Sequence, residues 1–252
     1  MADRYASLKQ GLVGCWIPSV SGSGLLLPDL SGRGNNGSLV GMDASDWVSS
    51  QYGRALDFDG SNDCVLIGSP ASIAGAYPQF TKSLWVLLRN TSLKYLFADF
   101  NNLGTTSRLS IAHDTRFFAF QNTATVVTST TTITTGVWYH VAVTRDDGTG
   151  LSNTGVAKIY INGNLEASAT YSYNSPALQI SGEQLARSNA LYGDYPNCQI
   201  DDARIYSRAL SEPEIKLLAS RPGIGLRQEI HRNTFYQFPS GARRKRILTG
   251  LP

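Results

Sequence analysis

Runs of alternating apolar and polar residues recur along this chain, separated by clusters of Gly, Ser, Asn and Asp. Strand-length runs fall at 11–16, 55–59, 64–67, 80–89, 93–99, 108–112, 117–121, 125–132, 137–145, 157–162 and 199–206. In an extended chain every second side chain shares a face. In WYHVAVTR this sets Trp138, His140, Ala142 and Thr144 against Tyr139, Val141 and Val143. Asn162-Gly163 between KIYI and NLEAS predicts a two-residue hairpin turn, because a type I′ turn needs positive φ at both central positions. Segments 17–37 and 145–156 read as loops. No repeat of 20–50 residues is visible, which argues against a propeller or solenoid.

The pattern changes near the C-terminal end. Ile200, Ala203, Ile205 and Tyr206 form an apolar run broken by Asp201, Asp202 and Arg204, as in a partly buried strand. Ser211 then stands where an N-cap belongs, with Pro213 and Glu214 in the first turn. Ser211 and Glu214 have capping-box spacing, in which each side chain satisfies a backbone donor of the other. Ile215, Leu217, Leu218 and Ala219 continue as an apolar helical stripe. Pro222 and Gly223 stop it. The fold is expected to end at residue 220.

Many strands with one short helix predict two packed antiparallel sheets or a barrel. Composition agrees: 42% of the 252 residues are apolar, 16% are charged and 24 are Gly. That apolar content excludes a disordered chain. No apolar run approaches the roughly 20 residues of a membrane-spanning helix. MADRYASLKQ lacks the apolar core and cleavage site of a secretory signal. Cys15, Cys64 and Cys198 are far apart and have no metal-ligand spacing, so they read as buried free thiols.

Seven segments, in order, carry a family resemblance: GLVGCW, DLSGRGNNGSLVG, ALDFDGSNDCVLIG, FTKSLWVLLR, GVWYHVAVTRD, KIYINGNLEAS and QIDDARIYSRALSEPEI. Together they resemble the laminin G-like subset of the concanavalin A-like jelly rolls, over about residues 11–219. The resemblance implies an all-β sandwich of two curved antiparallel sheets, with a concave face and loops at the rim. Three parts are expected: an N-terminal segment 1–10, a jelly-roll domain 11–220 and a C-terminal arm 221–252. A narrower resemblance, in LLASRPGIG and the Arg-rich end, is to domains encoded by tailed phages and phage-like marine sequences. It implies association with a virion.

Catalytic residues are not expected. Glycosidases on this fold set acids in an E-x-D-x-E pattern so that two carboxylates flank the bond. The five glutamates, 166, 183, 212, 214 and 229, show no such spacing. Asp57 and Asp59 share a strand face, but they read as an acidic pair near a turn. His113, His140 and His231 are isolated, and no nucleophile-elbow motif appears. Gly32-Arg33-Gly34 lacks a following helix and reads as turn chemistry rather than a phosphate loop.

Calcium is a possible cofactor, because hard cations take several oxygen ligands. By resemblance the candidates are Asp29, Asp59, Asn62, Asp63, Asp201 and Asp202. Asp29, Asn62 and Asp63 fit Asx-turn roles equally well. Tyr171, Tyr173, Asn174, Tyr192 and Tyr195 form a candidate glycan or partner surface. The competing reading of these tyrosines is packing at the rim, with the ring buried and the hydroxyl wet.

Charge is asymmetric. Residues 221–252 carry seven Lys/Arg and one acid, a charge of +6, which leaves −3 on the body. Arg232, Phe235, Tyr236, Phe238, Arg243, Arg244, Lys245 and Arg246 are candidates for a docking arm on a neighbouring subunit. A solvated tail is the alternative. One basic run is weak grounds for nucleic acid.

The narrower resemblance implies a non-enzymatic virion structural protein, a capsid-decorating or otherwise particle-attached subunit, and the composition of the arm leads to the expectation that the arm holds it. It would assemble in the host cytoplasm, as a homo-oligomer with other capsid or tail proteins as partners and no membrane. The alternative is a carbohydrate-binding module recognising host glycans. A divergent glycosidase is third.

Overall fold

A computed structural model describes residues 5–68, 79–99, 110–121, 124–147, 154–172, 182–187 and 195–226. Sixteen strands are formed in these residues. They are β1 (Leu12–Trp16), β2 (Leu26–Leu27), β3 (Gly37–Val40), β4 (Trp47–Ser50), β5 (Gly53–Asp59), β6 (Cys64–Gly68), β7 (Gln79–Leu88) and β8 (Lys94–Asp99). There follow β9 (Ser110–His113), β10 (Arg116–Gln121), β11 (Ala124–Thr132), β12 (Trp138–Asp146), β13 (Thr154–Ile161), β14 (Asn164–Ser172), β15 (Glu183–Leu185) and β16 (Asn197–Tyr206). The α-helix α1 spans Glu212–Leu218.

The first sheet runs β14-β13-β12-β7-β16-β5-β4, with β1 also paired to β16; the second runs β11-β10-β9-β8-β15-β6-β3-β2. All pairings between these strands are antiparallel. This is the expected jelly-roll sandwich. The expected loop at 17–37 contains β2 and the start of β3, whose few residues gave no alternation to read.

Alternation decides what lies between the sheets. Val141, Val143, Leu84, Val86, Ile159 and Ile200 from the first sheet meet Val65, Leu96, Phe97, Ile111 and Phe117 from the second. Each fully buried side chain of this size contributes about 1.5–3 kcal/mol. An ion pair crosses this apolar layer. Lys82 Nζ lies 2.9 Å from Glu183 Oε2, with both side chains fully buried, and 5.2 Å from the Phe97 ring centroid. One open side of the sandwich is closed by Glu166 of β14. Its Oε2 accepts from the backbone N–H of Thr130 and of Thr131 on β11, each at 2.8 Å. The 162–163 hairpin turn forms as expected, with φ of 51° and 83°.

The outer face of the first sheet carries a second layer. Tyr5 and Leu8 from the N-terminal 3-10 turn join Ile215 and Leu218 of α1, together with Ala142, Tyr160 and Tyr206 of the sheet. Arg208 ties the two pieces together. It donates to Ser7 O at 2.7 Å and Gln10 O at 2.9 Å, and its Nη2 reaches Glu214 Oε1 at 2.7 Å. The Ser211–Glu214 capping box is present.

β16 is not regular. Its register shifts between Asp201 and Arg204, and Asp202 adopts φ +47°. This bulge lets Ile200 and Ala203, three apart, both face the core. It also turns the Asp202 carboxylate toward Arg204 and the backbone N–H of Gly223, which donates at 2.7 Å. Arg204 Nη2 donates in turn to Ile224 O at 2.9 Å. Packing extends on both sides of residues 11–220. Tyr5 and Leu8 are part of the packed body, and so are Gly223 and Ile224.

Candidate functional site

Register arranges the outer face of the first sheet in rows. One row runs Trp138, Leu87, Gln199 and Asp57, across β12, β7, β16 and β5. The next holds His140, Trp85 and Asp201. Beyond it, α1 covers Ala142, Tyr160 and Tyr206. The last turn of α1 reaches the Trp85 row, where Trp85 Nε1 donates to Leu218 O at 3.3 Å.

The first row lies beyond the helix and is partly open. Trp138, Leu87, Gln199 and Asp57 are half-buried, and Arg89 is exposed. Tyr52, in the turn between β4 and β5, meets Trp85 and Trp138 edge-on, with centroids 5.0 Å and 6.4 Å apart. The Arg89 guanidinium lies 2.5 Å from Asp57 Oδ1 and donates to Asn197 Oδ1 at 3.1 Å. Aromatic surface therefore stands beside amide, carboxylate and guanidinium groups already held in place. Such a surface can stack on the C–H face of a sugar ring and hydrogen-bond its hydroxyls.

The row beneath is a floor. His140 is buried; its backbone N–H donates to Asn162 Oδ1 at 2.9 Å. Burial, with Arg204 nearby, lowers its imidazole pKa to about 3, so it stays neutral. Asp201 is buried too, and its Oδ1 accepts from Ser19 N at 3.2 Å and Asp202 N at 2.9 Å. Burial, then the adjacent Asp202, raises its pKa to about 7.

A second open region lies past the other end of α1. A groove of about 530 Å³ is lined by Thr144, Asp146, Lys158, Tyr160, Leu210 and Ser211, among others. Gln79 Nε2 donates to Asp146 Oδ1 there at 2.7 Å. Tyr160 is its aromatic residue and is buried.

The calcium candidates fall into three separate places. Asp29 organises a turn: its carboxylate accepts from Cys15 N, Ser31 N and Asn35 N, each at 2.9 Å, and from Ser31 Oγ at 2.7 Å. Asp59 and Asp63 close the turn that contains Asn62, through Ser61 N to Asp59 Oδ1 at 2.7 Å and Asp59 N to Asp63 Oδ2 at 2.9 Å. Asp202 is bound by Arg204, and Asp201 by Ser19. Among the described residues no three His, Cys, Asp or Glu side chains gather as a metal site. Asp57 and Asp59 do share the outer face, with Asp57 engaged by Arg89.

Of the tyrosine candidates, Tyr171 packs against the main core and Tyr195 lies under Arg187, 5.6 Å from ring centroid to Cζ. Register separates the two. Tyr171 pairs with Gly155, near the Gln79 end of β7, whereas Tyr195 precedes Cys198, which pairs with Leu88 at the other end. Tyr173, Asn174 and Tyr192 lie outside the described residues. So do all eight arm candidates, Arg232 to Arg246. The three cysteines are buried and free, as expected, and burial raises the pKa of each thiol.

A protein-family model described as the concanavalin A-like lectin/glucanases superfamily matches residues 59–216. The chain belongs to this superfamily. No curated protein matches it. Solved structures similar to this superfamily member include a mutant Trypanosoma rangeli sialidase displaying trans-sialidase activity. That match has 18% identity and a TM-score of 0.65, and covers 87% of this chain. The chain spans only 33% of the sialidase's length. The binding domain of Paraclostridial Mosquitocidal Protein 1 is similar at 18% identity and a TM-score of 0.63, covering 84% of this chain and 52% of the other. Domain 4 of AbnA, a GH43 extracellular arabinanase from Geobacillus stearothermophilus in complex with arabinotriose, is similar at 19% identity and a TM-score of 0.61. It is covered over 98% of its length, against 82% of this chain. These likenesses establish the fold.

In this superfamily member the open row was not visible as a site beforehand. Alternation already placed Trp138 and His140 on the face away from Tyr139 and Val141. What separates half-buried Trp138 from buried His140 is where α1 ends, and Tyr52 joins them from a turn some ninety residues earlier.

Proposed function

We propose that this protein is a non-enzymatic carbohydrate-binding domain, and that sugars dock on the Tyr52–Trp138 surface. The observation that carries this reading is a half-buried aromatic pair on the same row as the Asp57–Arg89 pair, at the end of the sheet face that α1 leaves uncovered beyond Trp85. Membership of a superfamily of lectins and glucanases supports it. So does similarity to a domain solved with arabinotriose. A glycan array with the parent and the Trp138→Ala and Tyr52→Ala variants tests it. The parent should bind a consistent class of sugar, and both variants should lose that binding. Parental binding that survives both substitutions would move the site elsewhere. A reducing-sugar assay over mixed polysaccharides should stay flat; released sugar would make the protein a glycosidase.

The setting we propose is a particle-attached subunit, with residues 227–252 as the attaching arm. Its support is that the chain is locked back onto β16 at Gly223 and Ile224, ahead of six of the seven basic residues of 221–252. Particles assembled with a chain lacking 227–252 should not carry the domain. Full incorporation of the truncated chain would remove the arm from the proposal.

A further inference from the structure

We infer that the Tyr52–Trp138 surface selects neutral oligosaccharides of more than one ring and turns away acidic sugars; this rests on the carbohydrate-binding reading above. Length follows from the row. Trp138, Leu87, Gln199 and Asp57 stand on four adjacent strands, and three strand intervals span about 14 Å. A single sugar ring cannot touch both ends. Aromatic surface lies at the Trp138 end, and hydrogen-bonding groups lie at the Asp57 end.

Selection by charge follows from how Arg89 is held. It reaches this row from the next position on its strand side, and it is committed twice. It is ion-paired to Asp57 and hydrogen-bonded to Asn197 Oδ1. Asp59, exposed and facing Asn197 across β5 and β16, adds a negative charge beside it. A carboxylate on the ligand would meet Asp57 and Asp59, with no uncommitted cation among the described residues of this surface to offset them. Sugar hydroxyls, by contrast, can donate to Asp57 Oδ2, the oxygen that Arg89 does not hold, and accept from the outer N–H groups of Arg89 or from the Gln199 amide. The ion pair thus presents fixed donors and acceptors with no net charge to satisfy.

Asp57→Asn changes this balance in a predictable direction. It removes the carboxylate paired with Arg89 and leaves Asp59 as the acid beside that cation, so the local excess of negative charge is gone. Calorimetric titration with arabinotriose and cellotetraose as neutral probes, and with sialyllactose and tri-galacturonate as acidic ones, tests the inference. The parent should bind at least one neutral probe and neither acidic one. Asp57→Asn should weaken neutral binding about tenfold and gain measurable binding of an acidic probe. Trp138→Ala should lose neutral binding, and a matching thermal midpoint for each variant confirms that the fold is kept. Acidic probes binding the parent as tightly as neutral ones, with loss in Trp138→Ala, would overturn the selectivity and leave the site. Neutral binding unchanged in Asp57→Asn, with no acidic binding gained, would also overturn it. No binding of any probe, together with a silent glycan array, would overturn the carbohydrate reading itself.

Discussion

Arg204 holds Asp202 through two parallel contacts, Nε to Oδ1 at 2.6 Å and Nη2 to Oδ2 at 2.9 Å, with both side chains buried. The pair sits on the β16 bulge and fastens the segment after α1 to it. Removing one partner strands the other charge without solvent, which typically costs about 3–5 kcal/mol. Arg204→Met should therefore lower the stability measured by denaturant unfolding by about that amount. Asp202→Asn tests the charge alone, because Asn tolerates the positive φ of this position. A double-mutant cycle should show strong coupling, and additive losses would refute it.

Truncation should show the same fastening. A chain ending at residue 226 should unfold with the same midpoint as the full chain. One ending at 220 loses the Gly223 N–H and the Ile224 carbonyl that complete the Asp202–Arg204 pair. It should be less stable by about 1–3 kcal/mol, the cost of leaving buried polar groups unmet.

The pH dependence has two arms of opposite sign. Burial lowers the pKa of His140 to about 3 and of His113 to about 4, below the roughly 6.5 of an unfolded histidine. The unfolded chain binds more protons in that window, so this stability is intact above it and falls as pH drops through it. Asp201 is raised to about 7, above the roughly 3.9 of an unfolded aspartate. Its folded form keeps a proton that the unfolded form releases, so stability falls as pH rises from about 4 to 7. Asp201→Asn should gain on the parent between about pH 4 and pH 7, as read from denaturant midpoints. A constant difference between the two would place the Asp201 pKa outside that window.

Glu166 should govern the seam between β14 and β11. Burial opposes its ionised form, but hydrogen bonds from Thr131 and Thr130 outweigh that and lower its pKa. Glu166→Ala removes the acceptor for two backbone N–H groups. Amide exchange at Thr130 and Thr131 should accelerate well before that of the central strand β12, at a global cost of about 1–3 kcal/mol. Uniform acceleration across the domain would mean that the seam opens only with the whole fold.

What could be read in advance divides along physical lines. Long strands such as β12 announce themselves, because nine residues of alternation repeat one instruction several times. The Ser211–Glu214 box and the Asn162-Gly163 turn are equally legible, since each depends on neighbours in the chain. β2, with two residues, offers no period to detect. The Asp202 bulge was hidden because an acid in a strand looks the same whether it faces solvent or turns back to an arginine two residues on. The open row was hidden for another reason. Tyr52, Trp138, Arg89 and Asp57 meet only through pairing across four strands, and local pattern carries no information about that.

The helix α1 lies along the outer face from the groove at Ser211 to Trp85, and stops. Each added turn of helix would lengthen it by about 5.4 Å. The Trp138 row stands two residues, about 6.6 Å, beyond the Trp85 row that the helix already reaches. Exposure here is thus governed by the length of a cover rather than by the residues it leaves bare. Among proteins of this shape, the position of the stop signal at Pro222 and Gly223 would decide whether that end of the sheet is interior or surface, with the strands beneath unchanged.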